Sequence, residues 1–85
     1  MKKFLIAGNW KMNKTAAEAE AFVKELDALK MSNAEDVAVL VPFTDLYAVK
    51  GALAGSDIKF GAQNVHFEAS GAFTGEVSVP MLSEI

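Results

Sequence analysis

The sequence predicts an α/β fold in which strands of a parallel sheet alternate with helices. Three observations carry that expectation. The apolar runs Phe4-Leu5-Ile6-Ala7 and Val37-Ala38-Val39-Leu40-Val41 are continuous, as in strands covered on both faces. Between them, Ala19, Phe22, Val23, Leu26 and Leu29 recur at helical spacing and make one apolar face. Breakers punctuate the chain at short intervals, with Gly8, Pro42 and Gly55 each closing an apolar segment. The succession is βαβαβ, which argues right-handed crossovers.

Taken in order, Lys3–Gly8 reads as the first strand and residues 9–14 as a loop. Thr15-Ala16-Ala17-Glu18 is a capping box, with Thr15 as N-cap and Glu18 at the third helical position. Glu20 and Lys24 form an i,i+4 pair on the polar side of that helix. Ser32 and Asn33 end it. The second strand spans Asp36–Val41, and Pro42 stops it because proline has no N–H for the ladder. Thr44 caps a shorter helix over Asp45–Ala54, with Asp45 well placed for the helix dipole. Gly51 weakens that helix, and Gly55 suits the position after its end. The third strand is Ile58–Asn64. Residues 65–78 form a longer loop whose Phe67, Phe73 and Val77 favour an interface over disorder. Pro80 then sits in the first turn of a helix that has run only a short way at Ile85.

Composition narrows the function classes. A chain of 85 residues makes one small domain, and its 52% hydrophobic content fits apolar faces meant for covering by more chain. The net charge of −3 is spread without a basic stripe, which excludes a nucleic-acid partner. The absence of cysteine excludes disulfides and thiolate metal sites. The apolar run after Met1-Lys2-Lys3 is too short for a signal peptide, and no stretch is long enough to span a bilayer. The expectation is a soluble cytoplasmic protein with no membrane partner.

Chemistry concentrates at the end of the first strand, where α/β proteins place their ligand sites. The amide of Asn9 can donate hydrogen bonds, and Lys11 carries a compact charge on a flexible stem. Together they suit an oxygen-rich anionic substrate. The competing readings are a solvated surface lysine and an asparagine that merely supports a left-handed turn. His66 is the single histidine and lies in the long third loop.

The run Ala7-Gly8-Asn9-Trp10-Lys11-Met12-Asn13 resembles the end of the first strand in the triosephosphate isomerase family. The block Gly61-Ala62-Gln63-Asn64, with Gly71-Ala72-Phe73-Thr74-Gly75-Glu76-Val77-Ser78 after it, resembles that family's third strand and following loop. The likeness covers the whole chain but about the first third of the enzyme. It implies three βα units of a TIM (β/α)8 barrel, a fold of eight units and typically about 250 residues, so the barrel is incomplete in this chain. It also implies a parent enzyme that interconverts dihydroxyacetone phosphate and glyceraldehyde 3-phosphate through an enediol(ate), in glycolysis and gluconeogenesis, without metal or organic cofactor.

By that resemblance Lys11 is catalytic, and Asn9, Trp10 and Lys11 bind the phosphorylated triose, Trp10 mainly through packing and backbone. Gln63, Asn64, Gly71, Phe73, Thr74, Gly75 and Glu76 match the dimer interface, where Thr74 approaches the neighbouring subunit's site in a homodimer. The alternatives are a plain glycine-rich turn for Thr74, and service to nearby backbone groups for Gln63 and Asn64. His66 takes no catalytic part, because the family's electrophilic histidine follows a fourth strand. The isomerase is itself the reference example of a glutamate base, a neutral histidine and a closing loop. None of the three maps onto this sequence, and Glu68, Glu76 and Glu84 are not in a base's place. The 85-residue chain is therefore expected to be inactive alone, a truncated piece that self-associates or pairs with the missing barrel to hide its strand edges.

Overall fold

The computed structural model describes residues 4–30 and 35–85. The elements are β1 (Phe4–Asn9), α1 (Ala16–Leu29), β2 (Glu35–Val41), a 3₁₀ turn (Phe43–Asp45), α2 (Leu46–Ala52), β3 (Lys59–Ala62) and α3 (Val79–Glu84). The strands are parallel in the order β1-β2-β3, with Ala7 beside Ala38 and Val39 beside Phe60. This is the predicted βαβαβ sheet, open on both sides. Lys3, and the helix stop expected from Ser32 and Asn33, lie outside the described residues.

The capping box forms as its residues dictate. The Glu18 N–H donates to the Thr15 hydroxyl at 3.3 Å, and the Thr15 N–H donates to the Glu18 carboxylate at 2.9 Å. That backbone donor is the main reason the Glu18 carboxyl is held below its ordinary range. Lys24 and Glu20 pair at 2.8 Å on the solvent side. The apolar face of α1 is only partly buried. Ala19 and Val23 enter the core and Leu26 packs against it, while Phe22 and Leu29 stay exposed. The cause is that α1 leans on α2 and the 3₁₀ turn, a narrower contact than the full stripe.

The remaining core comes from Val39, Val41, Leu46, Val49, Leu53 and Ile58. Burial of β1 on both faces is not what the structure shows. Phe4, Leu5 and Ile6 remain 67%, 66% and 53% exposed, because β1 is an edge strand outside that cluster. Each such side chain forgoes half or more of the roughly 1.5–3 kcal/mol that full burial would give.

Two element boundaries also differ from expectation. Thr44 does not cap α2, because the Asp45 N–H bonds back to the Pro42 carbonyl at 2.9 Å and closes a 3₁₀ turn first. The helix proper then starts at Leu46 and ends at Ala52, with Gly55 in the left-handed region at φ 83°. The third strand is shorter, Lys59–Ala62, and leaves Gln63 and Asn64 beyond its end. The turn before it is tied to α1 by Lys30 Nζ donating to Asp57 Oδ2 at 2.9 Å and Ser56 Oγ to Asp27 Oδ1 at 2.6 Å. Among the described residues no helix is long and apolar enough to cross a membrane.

Asp45 is the least comfortable residue in this core. It is fully buried, and neither carboxylate oxygen has a hydrogen-bond partner among the described residues. Burial pushes its pKa up and the Glu18 charge adds to that; the neighbouring Thr44 hydroxyl opposes the shift without reaching hydrogen-bonding geometry. A raised carboxyl favours folding fully below its ordinary value of 3.8, and the benefit is lost as pH rises through the folded value. Asp45→Asn in this chain is therefore expected to stabilise at pH 7 by about 1 kcal/mol, several degrees in Tm. The gain should vanish in acid below 3.8. Thermal melts at both pH values check this, and a loss of stability at neutral pH would contradict it.

Candidate functional site

The site is built on a backbone irregularity. β1 ends at Asn9, and the Trp10 N–H still reaches the Leu40 carbonyl at 3.1 Å, extending the β1–β2 ladder by one residue. The chain then turns at Lys11, whose φ of 57° lies in the left-handed region. For a non-glycine residue this costs on the order of 1 kcal/mol and persists only when the surroundings enforce it.

Three side-chain amides do so. Asn9 Oδ1 accepts the Lys11 N–H at 2.9 Å, Asn13 Nδ2 donates to the Trp10 carbonyl at 2.8 Å, and Gln63 Nε2 donates to the Lys11 carbonyl at 3.1 Å. The same Gln63 nitrogen also reaches the Leu40 carbonyl at 3.0 Å, so one amide fastens the loop to the end of β2. The arrangement holds Asn9 in the role of turn support while leaving its Nδ2 as a donor for a ligand. Lys11 is exposed, and no carboxylate of the described residues pairs with its ammonium. A fixed backbone, an exposed cation and an amide donor are the parts with which an anion could be held. Trp10 turns its ring against Phe22, edge to face at 5.5 Å and 87°, which is packing.

The third loop is a second structure, closed on itself. The His66 N–H donates to the Val77 carbonyl at 2.8 Å and the Glu76 N–H to the Phe73 carbonyl at 3.0 Å. Gly71 and Gly75 take φ values of 143° and 88°. A Cβ on Gly71 would lie 2.6 Å from the Phe73 ring, so a side chain there is excluded. His66 lies between Phe67 and Phe73, with ring centres 4.6 and 4.5 Å away, and its Nδ1 is 3.6 Å from Glu76 Oε2. Its ring packs this loop together. Thr74 and Phe73 are exposed on this loop, and Ser78 closes it by capping α3. Pro80 sits in the first turn of that helix, as expected.

The structure therefore groups Asn9, Trp10, Lys11 and Gln63, and keeps Gly71, Phe73, Thr74, Gly75 and Glu76 in a separate loop. No hydrogen bond, ion pair or ring contact among the described residues joins the two; Asn64 follows Gln63 and is exposed. Of the two readings of Gln63, interface residue and service to nearby backbone groups, the structure shows the second, with the Lys11 and Leu40 carbonyls as the particular partners the sequence does not name. The available signal was topology: parallel neighbours end side by side, so a long amide just after β3 reaches the ends of β1 and β2. The service of Asn13 to Trp10 and the contacts of Lys14 were not anticipated either.

The family model described as triosephosphate isomerase matches residues 4–85. The triosephosphate isomerase of Carboxydothermus hydrogenoformans is 60% identical over 86 residues, covering all of this chain and 34% of the relative. That of Synechocystis sp. is 54% identical over 87 residues, again covering the whole chain and 36% of the relative. Among solved structures, the crystal structure of triosephosphate isomerase from Bartonella henselae superposes with a TM-score of 0.85 at 39% identity. The overlap takes in 94% of this chain and 33% of that one. The chain thus spans about a third of the length of the relatives it matches.

Proposed function

This chain belongs to the triosephosphate isomerase family, and from that premise we propose that the whole protein interconverts dihydroxyacetone phosphate and glyceraldehyde 3-phosphate in the cytoplasm. The observation that carries the reading is Lys11, held in a left-handed conformation by the amides of Asn9 and Gln63, its ammonium without an ion-pair partner among the described residues. The Lys11 ammonium binds the anionic substrate and stabilises the negative charge that develops on its oxygens as the enediolate forms. Asn9 Nδ2 donates to a substrate oxygen. Proton transfer between the adjacent carbons needs a base, which the 85 residues do not position, and the reaction itself calls for no metal or organic cofactor.

The closed 71–76 loop supports assembly with a second copy, for which Gly71, Phe73, Thr74, Gly75 and Glu76 form the contact tip. The exposed Phe67 and Phe73 of the 65–78 segment favour burial over solvent. A second reading applies to the 85-residue chain by itself. The exposed apolar side chains of Phe4, Leu5 and Ile6 on an unpaired edge favour self-association of that chain without catalysis.

A coupled isomerisation assay with dihydroxyacetone phosphate tests both. The whole protein is expected to turn over, and the 85-residue chain to show no rate above background at any concentration. Absence of turnover in the whole protein would sink the isomerase reading. A rate in the short chain that is lost with Lys11→Ala would show that these residues contain a base after all.

A further inference from the structure

Lys14 shares one unusual property with Lys11: among the described residues these two alone are non-glycine with positive φ, Lys14 at 77°. Nothing in the proposed chemistry uses Lys14. Its ammonium lies 4.6 Å from the centre of the Phe22 ring and 5.7 Å from that of Trp10, within the range at which a cation is attracted to an aromatic face. The two rings already meet edge to face at 5.5 Å. The cation thus caps a pair that joins the loop after β1 to α1. Trp10 is the residue between Asn9 and Lys11, and Asn13, next to Lys14, holds the Trp10 carbonyl at 2.8 Å.

We propose that Lys14 is a positioning residue for Lys11: its ammonium clamps Trp10 onto Phe22 and so fixes the loop that presents the catalytic cation. The catalytic half of this inference rests on the isomerase reading; the clamp itself does not. The left-handed backbone at Lys14 is strained for a residue other than glycine, and its side chain lies over the two rings. The charge also lies near enough to Glu18 to favour that residue's ionised, capping form. Loop and helix start are thereby braced from one side chain.

Three variants of the whole protein separate charge from backbone. Lys14→Met removes the charge and keeps the bulk, Lys14→Gly relieves the left-handed strain and so guards against misfolding, and Lys14→Arg keeps a cation over the rings. With lysine labelled for NMR, the ε-methylene signal of Lys14 should be displaced upfield by the ring currents, and the Lys11 amide should move in the Met and Gly variants but not in Arg. In steady-state kinetics Met and Gly should lower kcat/KM about three- to tenfold, mainly through KM, while Arg restores it to within about twofold. An undisplaced ε-methylene, or a Gly variant with the wild-type Lys11 signal and kcat/KM, overturns the proposal. If the wild-type protein shows no isomerisation while the NMR differences hold, the isomerase reading fails and the clamp stands.

Discussion

Lys11→Ala in the whole protein is expected to lower kcat/KM by about 10²–10³ or more while leaving the fold unchanged. One charge pair at about 4 Å interacts by roughly 4 kcal/mol at an effective dielectric near 20, before desolvation is subtracted. The side chain makes no ion pair with the described residues and is exposed, so its removal takes nothing from the core. Alanine is no easier than lysine at φ 57°, so Lys11→Gly is the companion variant. Glycine relieves the backbone and should be equally impaired. Steady-state kinetics beside circular dichroism measure both, and near-normal turnover in either variant would remove Lys11 from the mechanism.

Gln63→Leu should produce the second largest effect. It keeps the approximate bulk but strips the donor from two carbonyls, those of Lys11 and Leu40. The Leu40 carbonyl keeps the Trp10 N–H at 3.1 Å and the exposed Lys11 carbonyl turns to water, so little stability is lost, but the Lys11 backbone is released to relax toward ordinary dihedrals. A displacement of about 1 Å at a positioned group can cost up to ~10²-fold in rate, so kcat/KM is expected to fall roughly 10- to 100-fold. Gln63→Glu should be worse at neutral pH, since a carboxylate would face two carbonyl oxygens, and should partly recover in acid as the protonated form donates again. A Gln63→Leu enzyme with wild-type kinetics would show that Asn9 and Asn13 suffice to hold the loop.

The parts of the molecule legible in the sequence are those set by local chemistry. The Thr15–Glu18 box needs only two side chains at the right spacing, and both of its bonds are present. The parallel sheet followed from continuous apolar strands, and the third loop proved to be an ordered turn around Phe73. What depended on partners outside the local stretch was less legible. Continuous hydrophobicity reads as burial, yet β1 lies at an edge where Phe4, Leu5 and Ile6 stay more than half exposed. Thr44 has the chemistry of a cap, but the Pro42 carbonyl captured the Asp45 N–H first. Asn9 and Lys11 were identifiable as a pair; the Gln63 amide between them and β2 spans 52 residues and needed the register of three strands.

The strand order has a consequence for the way this chain acquires its structure. Each strand pairs with the one made just before it: Phe4 meets Glu35, and Ala38 meets Lys59. No strand waits for a distant partner, so the closure entropy of each step is modest and grows only slowly with loop length. Such a sheet can lengthen sideways in the direction of synthesis, every completed βα unit offering its free edge as the template for the next. Within the described residues, the flank of β1 away from β2 is left open to water by the same order that gives its other flank a neighbour.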